Sequence, residues 1–442
     1  LAVPRAVNAH DLNIEARAPS LKFVSFFLFY FPFIDNTKVH RYRPGSYFNS
    51  PMSPHHPSST PDWQALGGLS TALEIAQQPT LWRALAAQLQ ALAEPLQALR
   101  RDWLGRPECR VIFTGAGSSA YIGELVAAQI ASQWLGEICA VSTTSLLTHP
   151  TRYLKADRPT LLVSFARSGS SPESLGAVAL LRQQVPDVQF LHITCNADGE
   201  LARQAAGDAR ALTLLMPPAS CDRGFAMTSS FSCMLLAGLA ALDAGNLLEH
   251  LARIEALAQR AEQALRDWNV PLQALAAQPF QRIVYLASGP LEALAQEAAL
   301  KVLELSAGRV LALANTPLGF RHGPKSVVNE STLIVLMRSA DALARRYEQD
   351  LIDELQRDGI AAHLLSVGPA LDGKPEAAGT LQLPLPDGPT CGDAWLAPLW
   401  LLAAQTFALH KSAALGLTPD NPFPDGTVNR VVQGVTLYVH GV

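Results

Sequence analysis

The hydrophobic positions of this chain follow two rhythms, and their alternation predicts its elements. From Thr80 to Leu99, TLWRALAAQLQALAEPLQAL spaces Leu81, Leu85, Leu89 and Leu96 as a helix does, and Pro95 predicts a break in it. The pattern then shifts. In RVIFTGAGSSAYIGELVAAQIA an apolar run from Arg110 to Thr114 predicts a strand, a Gly-Ser turn follows, and an alanine-rich stretch predicts a helix. The same plan returns at Arg282 in RIVYLASGPLEALAQEAALKVLEL.

The sharpest junction is TLLVSFARSGSSPES, Thr160 to Ser174. Leu161, Leu162, Val163 and Phe165 form the short apolar run of a central parallel strand. Ser171-Pro172-Glu173 then reads as an N-cap, a proline at the first helical position and an acid in the first turn. Free N–H groups at such a helix start, hydroxyls beside them and a glycine that permits close approach make a seat for phosphate. A well-capped turn without a ligand is the competing reading.

Four strand-like runs recur at nearly constant spacing: Arg110 and Arg282 are 172 residues apart, Arg167 and Arg338 are 171, His192 and His363 are 171, and Leu212 and Leu381 are 169. That agreement predicts two repeated α/β units, each a parallel sheet with helices on both faces. Between them Leu247, Leu251, Ile254, Ala258, Ala261 and Leu265 mark one face of a long linking helix. The expected organisation is a helical preface over 61–105, a first unit over 106–245, the linking helix over 246–275, and a second unit with a C-terminal tail over 276–442. Ligands of open parallel sheets sit off the carboxyl ends of the strands. Half one carries Gly115, Gly117, Ser118 and Ser119 there, and Ser168 to Ser171; the matching turns of half two, ASGPLEAL and MRSADALA, are poorer in hydroxyls. One phosphate seat, in half one, is the expectation. GAGSS is not the GxGxxG dinucleotide fingerprint.

Residues 1–60 differ from the rest, being aromatic, proline-rich and without the alanine-leucine periodicity. They read as a non-native or disordered extension, with Met52 as the natural start. FVSFFLFYFPFI, Phe23 to Ile34, is 12 residues long and broken by Pro32, against the roughly 20 that a membrane span needs. Over the whole chain, 442 residues with a formal charge of −4, 49% hydrophobic and 16% charged, suit a large α/β protein and carry no basic footprint for nucleic acid. The six cysteines are scattered, without CxxC or zinc spacing, and read as reduced thiols of a cytoplasmic protein.

Four motifs, GAGSSAYIG, SFARSGSSPES, EAALKVLELSAG with LGFRHGPKS, and PDNPFPDGTVNRVVQGVTLY, resemble the sugar isomerase (SIS) domain family in its double-SIS form, and most closely the AgaS family of galactosamine-6-phosphate deaminases and tagatose-6-phosphate ketose/aldose isomerases. The resemblance spans roughly Cys109 to Tyr438. It implies an α/β fold of two flavodoxin-like (SIS) parallel-sheet units in tandem behind the helical preface. It also implies a phosphate held by Ser118, Ser119, Ser168 and Ser171 with the amides around Gly169 and Ser170. Ala166 stands where the related glucosamine-6-phosphate synthase pattern has serine, which puts Arg167 forward as a substitute contact. The loop Asp222 to Ser230 resembles the family's sugar-covering loop, with Thr228 as its candidate contact. Gln433 stands where the synthase pattern has a lysine, so the tail is expected only to close the site.

Glu297, Lys301 and Glu304, at i, i+4 and i+7, line one helix face, with no comparably polar face opposite. That stripe is expected over a cleft rather than on a solvated surface. By resemblance Glu304 moves the proton between C1 and C2 of the opened sugar, a task suited to one carboxylate. Lys301 joins it in the catalytic set. His322 sits in a turn set by Gly323-Pro324 and, by resemblance, assists ring opening across a subunit interface, which implies at least a homodimer. Arg321 and Lys325 beside it are either positive charge for the phosphate or surface solubility. No metal or organic cofactor is implied. The expected activity is deamination of an amino-sugar phosphate. The alternatives are plain aldose-ketose isomerisation and a non-catalytic sugar-phosphate sensor; the preface lacks the basic recognition helix that a DNA-binding regulator would need.

Overall fold

The computed structural model describes residues 61–369, 380–432 and 434–438, so the expectations for residues 1–60 and Gln433 lie outside the described residues. Half one forms a sheet from β1 (Arg110–Thr114), β2 (Glu137–Ala140), β3 (Thr160–Ala166), β4 (Val188–Thr194) and β5 (Ala211–Leu215), in the order β2-β1-β3-β4-β5. Half two repeats it with β6 (Arg282–Leu286), β7 (Leu311–Asn315), β8 (Thr332–Met337), β9 (His363–Gly368) and β10 (Thr380–Pro384), in the order β10-β9-β8-β6-β7. Every pairing is parallel. This is the flavodoxin-like order twice over, with its switch point between the first and third strands of each half.

Each sheet has one strand more than the four that the apolar runs predict. The additions are the edge strands β2 and β7. EICA has only four residues, all half-buried, and LALAN alternates exposed and covered positions, so neither makes an apolar run. The central strands do: β1, β3 and β8 are buried at every position.

Between the sheets lies a layer of helices, and one continuous core runs through it from Phe113 and Phe165 on one sheet to Tyr285 and Val335 on the other. Ser229–Leu242 is buried at all 14 positions, and Asp393–Ala414 at all but its last two. A helix buried all round must be apolar all round, which explains why neither shows an amphipathic stripe. The long helix Leu247–Ala276 and the preface helix Gln78–Ala91 pack into the same core through Ile254, Ala258, Ala261, Leu81, Trp82 and Leu85. The break expected near Pro95 falls at Leu92, and Pro95 sits third in the next helix, Ala93–Leu99, where its missing N–H has no helical partner to lose. Smaller cores cover the outer faces, around Leu162 and Phe190 in half one and around Ile334 and Leu351 in half two. No helix among the described residues is long and apolar enough to cross a membrane, and all six cysteines are free thiols.

Candidate active site

The two turns of half one that carry the Gly/Ser motifs are neighbours because β1 and β3 pair in register, Thr114 opposite Ser164. After β1 the chain closes on itself so tightly that a Cβ on Gly115 would lie 2.5 Å from the Ser119 carbonyl carbon. Gly117, at φ +55°, then starts the helix Ser118–Ile130 without a side-chain cap. After β3, Gly169 takes φ +64° and packs against Thr194 and Gly199. Only glycine adopts that conformation freely. Ser171 caps the helix Pro172–Gln184 by accepting from the Ser174 amide at 3.3 Å. Among the described residues the amides of Ser168, Gly169 and Ser171 donate to no acceptor, and that of Ser170 reaches only the Ser168 hydroxyl, at 3.4 Å. Free amides and three serine hydroxyls at a helix start are the groups that an anion would need.

From half two the helix Leu291–Leu305 brings the charged stripe to the Ser118 turn. Lys301 donates to Ser118 Oγ at 3.1 Å, and its ammonium lies 3.2 Å from Glu297 and 2.6 Å from Glu304. The stripe does not lie over a cleft along its length. Glu297 and Lys301 are 0% exposed, and only Glu304, with 23% of its side chain exposed, opens outward. Burial pushes the Glu297 carboxyl up to about 7, against the pull of Lys301. Burial also lowers Lys301, but Glu297 and Glu304 outweigh it and hold the ammonium above the usual lysine value. Two carboxylates on one buried ammonium therefore keep it charged. Lys301 pairs with both carboxylates, and Glu304 alone of the three is partly exposed.

Other expected residues fall differently. Thr228 is a correction: it is fully buried, and its amide and hydroxyl both donate to Asp222, at 2.8 and 2.9 Å. Asp222 also receives the amides of Ser229 and Ser230, so it folds the loop Asp222 to Ser230 from within. Arg167 points across to that loop and the tail, donating to the Phe225 carbonyl at 3.5 Å and the Arg430 carbonyl at 3.1 Å. Arg430 returns the contact, donating to the carbonyls of Asp222 and Arg223 at 2.8 and 2.9 Å. Of the two readings for Arg321 and Lys325, the pairs favour the second: both bond Glu354, and Lys325 also Asp358, so their charge is neutralised locally. His322 is exposed on its turn, and within this chain its ring makes no contact with the Glu304 cluster among the described residues.

Glu74, Asp222, Asp420 and Arg430, which the motif reading passes over, tie the loop Asp222 to Ser230 to the preface and the tail. Glu74 accepts the Gly224 amide at 3.2 Å and that of Arg223, and Asp420 accepts the amides of Ser70 and Thr71 at 2.9 and 2.8 Å. Burial, reinforced by Asp222, pushes the Glu74 carboxyl up to about 7. A carboxyl raised from the usual 4.5 stabilises the fold fully below 4.5 and loses that contribution as pH rises through 7. Glu74→Gln, which stays neutral, should therefore gain stability relative to the unsubstituted protein between pH 5 and pH 8. Thermal unfolding midpoints of the two proteins across that range check this, and parallel curves would refute it.

The SIS domain family matches residues 106–244. A Streptomyces coelicolor protein carrying the AgaS name is 46% identical over 370 residues, covering 83% of this chain and 95% of that protein. The D-galactosamine-6-phosphate deaminase AgaS of Shewanella sp. strain ANA-3 is 41% identical over 398 residues, covering 88% and 98%. The crystal structure of tagatose-6-phosphate ketose/aldose isomerase from Escherichia coli superposes with a TM-score of 0.77 at 38% identity, over 84% of this chain and 97% of that one. With near-full coverage of relatives this similar, and a tandem pair of sheets to match, the chain belongs to the AgaS family of double-SIS proteins.

Proposed function

We propose that the protein removes the nitrogen of an amino-sugar phosphate, converting D-galactosamine 6-phosphate and water to D-tagatose 6-phosphate and ammonia. The observation that carries this reading is the link from Ser118 through Lys301 to Glu304, which joins the phosphate turns of half one to a single outward carboxylate from half two. With the phosphate on the Ser168 to Ser171 turn, the opened sugar extends toward Glu304. The carboxylate takes the proton from C2, next to the C1 aldehyde, and returns it to C1, while one amine proton passes to the C1 oxygen, leaving a hydroxymethyl group at C1 and an imine at C2. Water adds to that carbon, and ammonia departs. The name of the Shewanella relative supports the substrate. The name of the Escherichia coli isomerase supports a second reading, in which the same proton transfer interconverts aldose and ketose phosphates without loss of nitrogen.

His322 completes the site from a second copy of the chain in this reading, because its ring is exposed and away from Glu304 in its own chain. The working unit is then a cytoplasmic homodimer. Ser168→Ala should raise KM by about tenfold or more, the effect of a lost hydrogen bond to a charged group worth about 1.5–3 kcal/mol. It tests the seat more cleanly than a change at Ser171, which would also remove a helix cap. An unchanged KM would move the phosphate elsewhere. An ammonia assay over a panel of hexosamine phosphates tests the function itself. Stoichiometric ammonia and tagatose 6-phosphate from galactosamine 6-phosphate, with little from its N-acetyl form, is the expected result. No ammonia from any of them, with interconversion of galactose and tagatose 6-phosphates, would establish the isomerase instead.

A further inference from the structure

The half-two turns that correspond to the phosphate turns of half one are Ser288-Gly289-Pro290 after β6 and Arg338 to Asp341 after β8. The donors of the second of these turns are already taken. The Ser339 amide donates to both oxygens of Glu348, at 3.3 and 3.1 Å, and the Ser288 side chain, from the other turn, acts on the same carboxyl and lowers its proton affinity. The Ser339 hydroxyl and the Ala340 amide donate to Asp393, at 2.5 and 2.6 Å. Glu348 and Asp393 thus hold the donors of the Ser339 turn as a bound anion would, with Ser288 of the other turn close to Glu348. We propose that half two retains the counterpart of the half-one anion seat and that Glu348 and Asp393 fill it from within, so that each chain seats one phosphate.

Topology makes the comparison residue by residue. Glu348 lies seven positions after the N-cap Asp341 of the helix Ala342–Asp358; seven after the half-one N-cap Ser171 lies Val178, buried in the apolar outer core. Asp393 opens the helix after β10, and the residue opening the helix after β5 is Ser229, whose hydroxyl donates to the Glu74 carbonyl. A valine and a committed serine cannot supply negative oxygens, so the half-one amides stay available. In half two a carboxylate oxygen offers an N–H a charged acceptor as a phosphate oxygen does, and being tethered it loses little freedom on binding. Arg345 closes the same turn by donating to the Ala340 carbonyl at 2.7 Å. Glu348 is fully buried, and burial pushes its carboxyl up to about 7, as expected of an acid held inside the protein in place of a solvated ligand.

The inference rests on the half-one seat as its pattern, and the test separates the two. Full-length protein is dialysed against inorganic phosphate to count sites, and crystals soaked in selenate, a tetrahedral dianion, locate them by anomalous scattering. The unsubstituted protein should bind one phosphate per chain, with selenate on the Ser168 to Ser171 turn and none between Ser288 and Ser339. Glu348→Ser with Asp393→Asn should double the stoichiometry and place a second selenate between those two serines. Selenate there in the unsubstituted protein overturns the proposal, and that measurement does not depend on the variant folding. A folded variant that still binds one phosphate overturns it as well. Selenate missing from half one, with the second seat still opened by the variant, sinks the half-one reading alone and supports this one.

Discussion

Glu304→Gln should lower turnover at least about hundredfold while the phosphosugar still binds, because the substitution keeps the side chain's shape and removes only its capacity to take a proton. The geometry gives the loss no bypass. Glu297, the other carboxylate on Lys301, is fully buried, whereas Glu304 is partly exposed. A glutamine at 304 can still accept from Lys301, so the cluster should stay assembled and the unfolding midpoint should move little. Binding of the phosphosugar, measured calorimetrically, isolates the chemical step from the seat. The decisive readout is solvent deuterium: proton transfer to and from the sugar labels it at C1 or C2. Substrate-dependent incorporation that survives at the original rate in the variant would remove Glu304 from the role of base.

Lys301→Met tests the other half of the same cluster and acts first on stability. Methionine matches much of the lysine stem but leaves Glu297 and Glu304 facing each other without a cation, one of them with no access to water. Breaking a buried ion pair by removing one partner costs about 3–5 kcal/mol, most of it the penalty of the charge left behind. Glu297→Gln with Lys301→Met should recover a large part of that loss, because the stranded charge is gone. Chemical denaturation of the two single variants and the double variant forms the cycle. A single Lys301→Met variant as stable as the unsubstituted protein would show that the ammonium is not the counter-charge it is taken to be. Activity should fall in both variants, since Glu304 loses the group that aims it.

Much of the fold is legible along the chain, and the misses share a physical origin. β3 and its turn are readable because an apolar strand, a glycine at positive φ and a Ser-Pro-Glu helix start are all local chemistry. The duplication is readable because the same local chemistry recurs at one spacing. β2 and β7 escape because an edge strand is half-covered and needs no apolar run. Thr228 is drawn to the site by its loop, yet Asp222, six residues earlier, binds both its polar groups. For Arg321 and Lys325 the motif leaves phosphate charge and surface solubility both open, and only the arrival of Glu354 and Asp358, on the helix Ala342–Asp358, decides between them.

By itself, then, the sequence determined the α/β class, the two repeated units, the turns with anion-binding character and the charged stripe of Leu291–Leu305, since each depends on residues within one or two turns of each other. Tertiary structure alone decided that Lys301 meets Ser118 across 183 residues, that Glu304 faces outward while Glu297 is sealed in, and that Glu348 and Asp393 occupy the turns of half two. The physical reason is that a charge takes its role from what surrounds it: the same carboxylate is a base beside an open turn, a counter-ion when buried on a lysine and a tethered anion on free amides, and only packing brings those neighbours together.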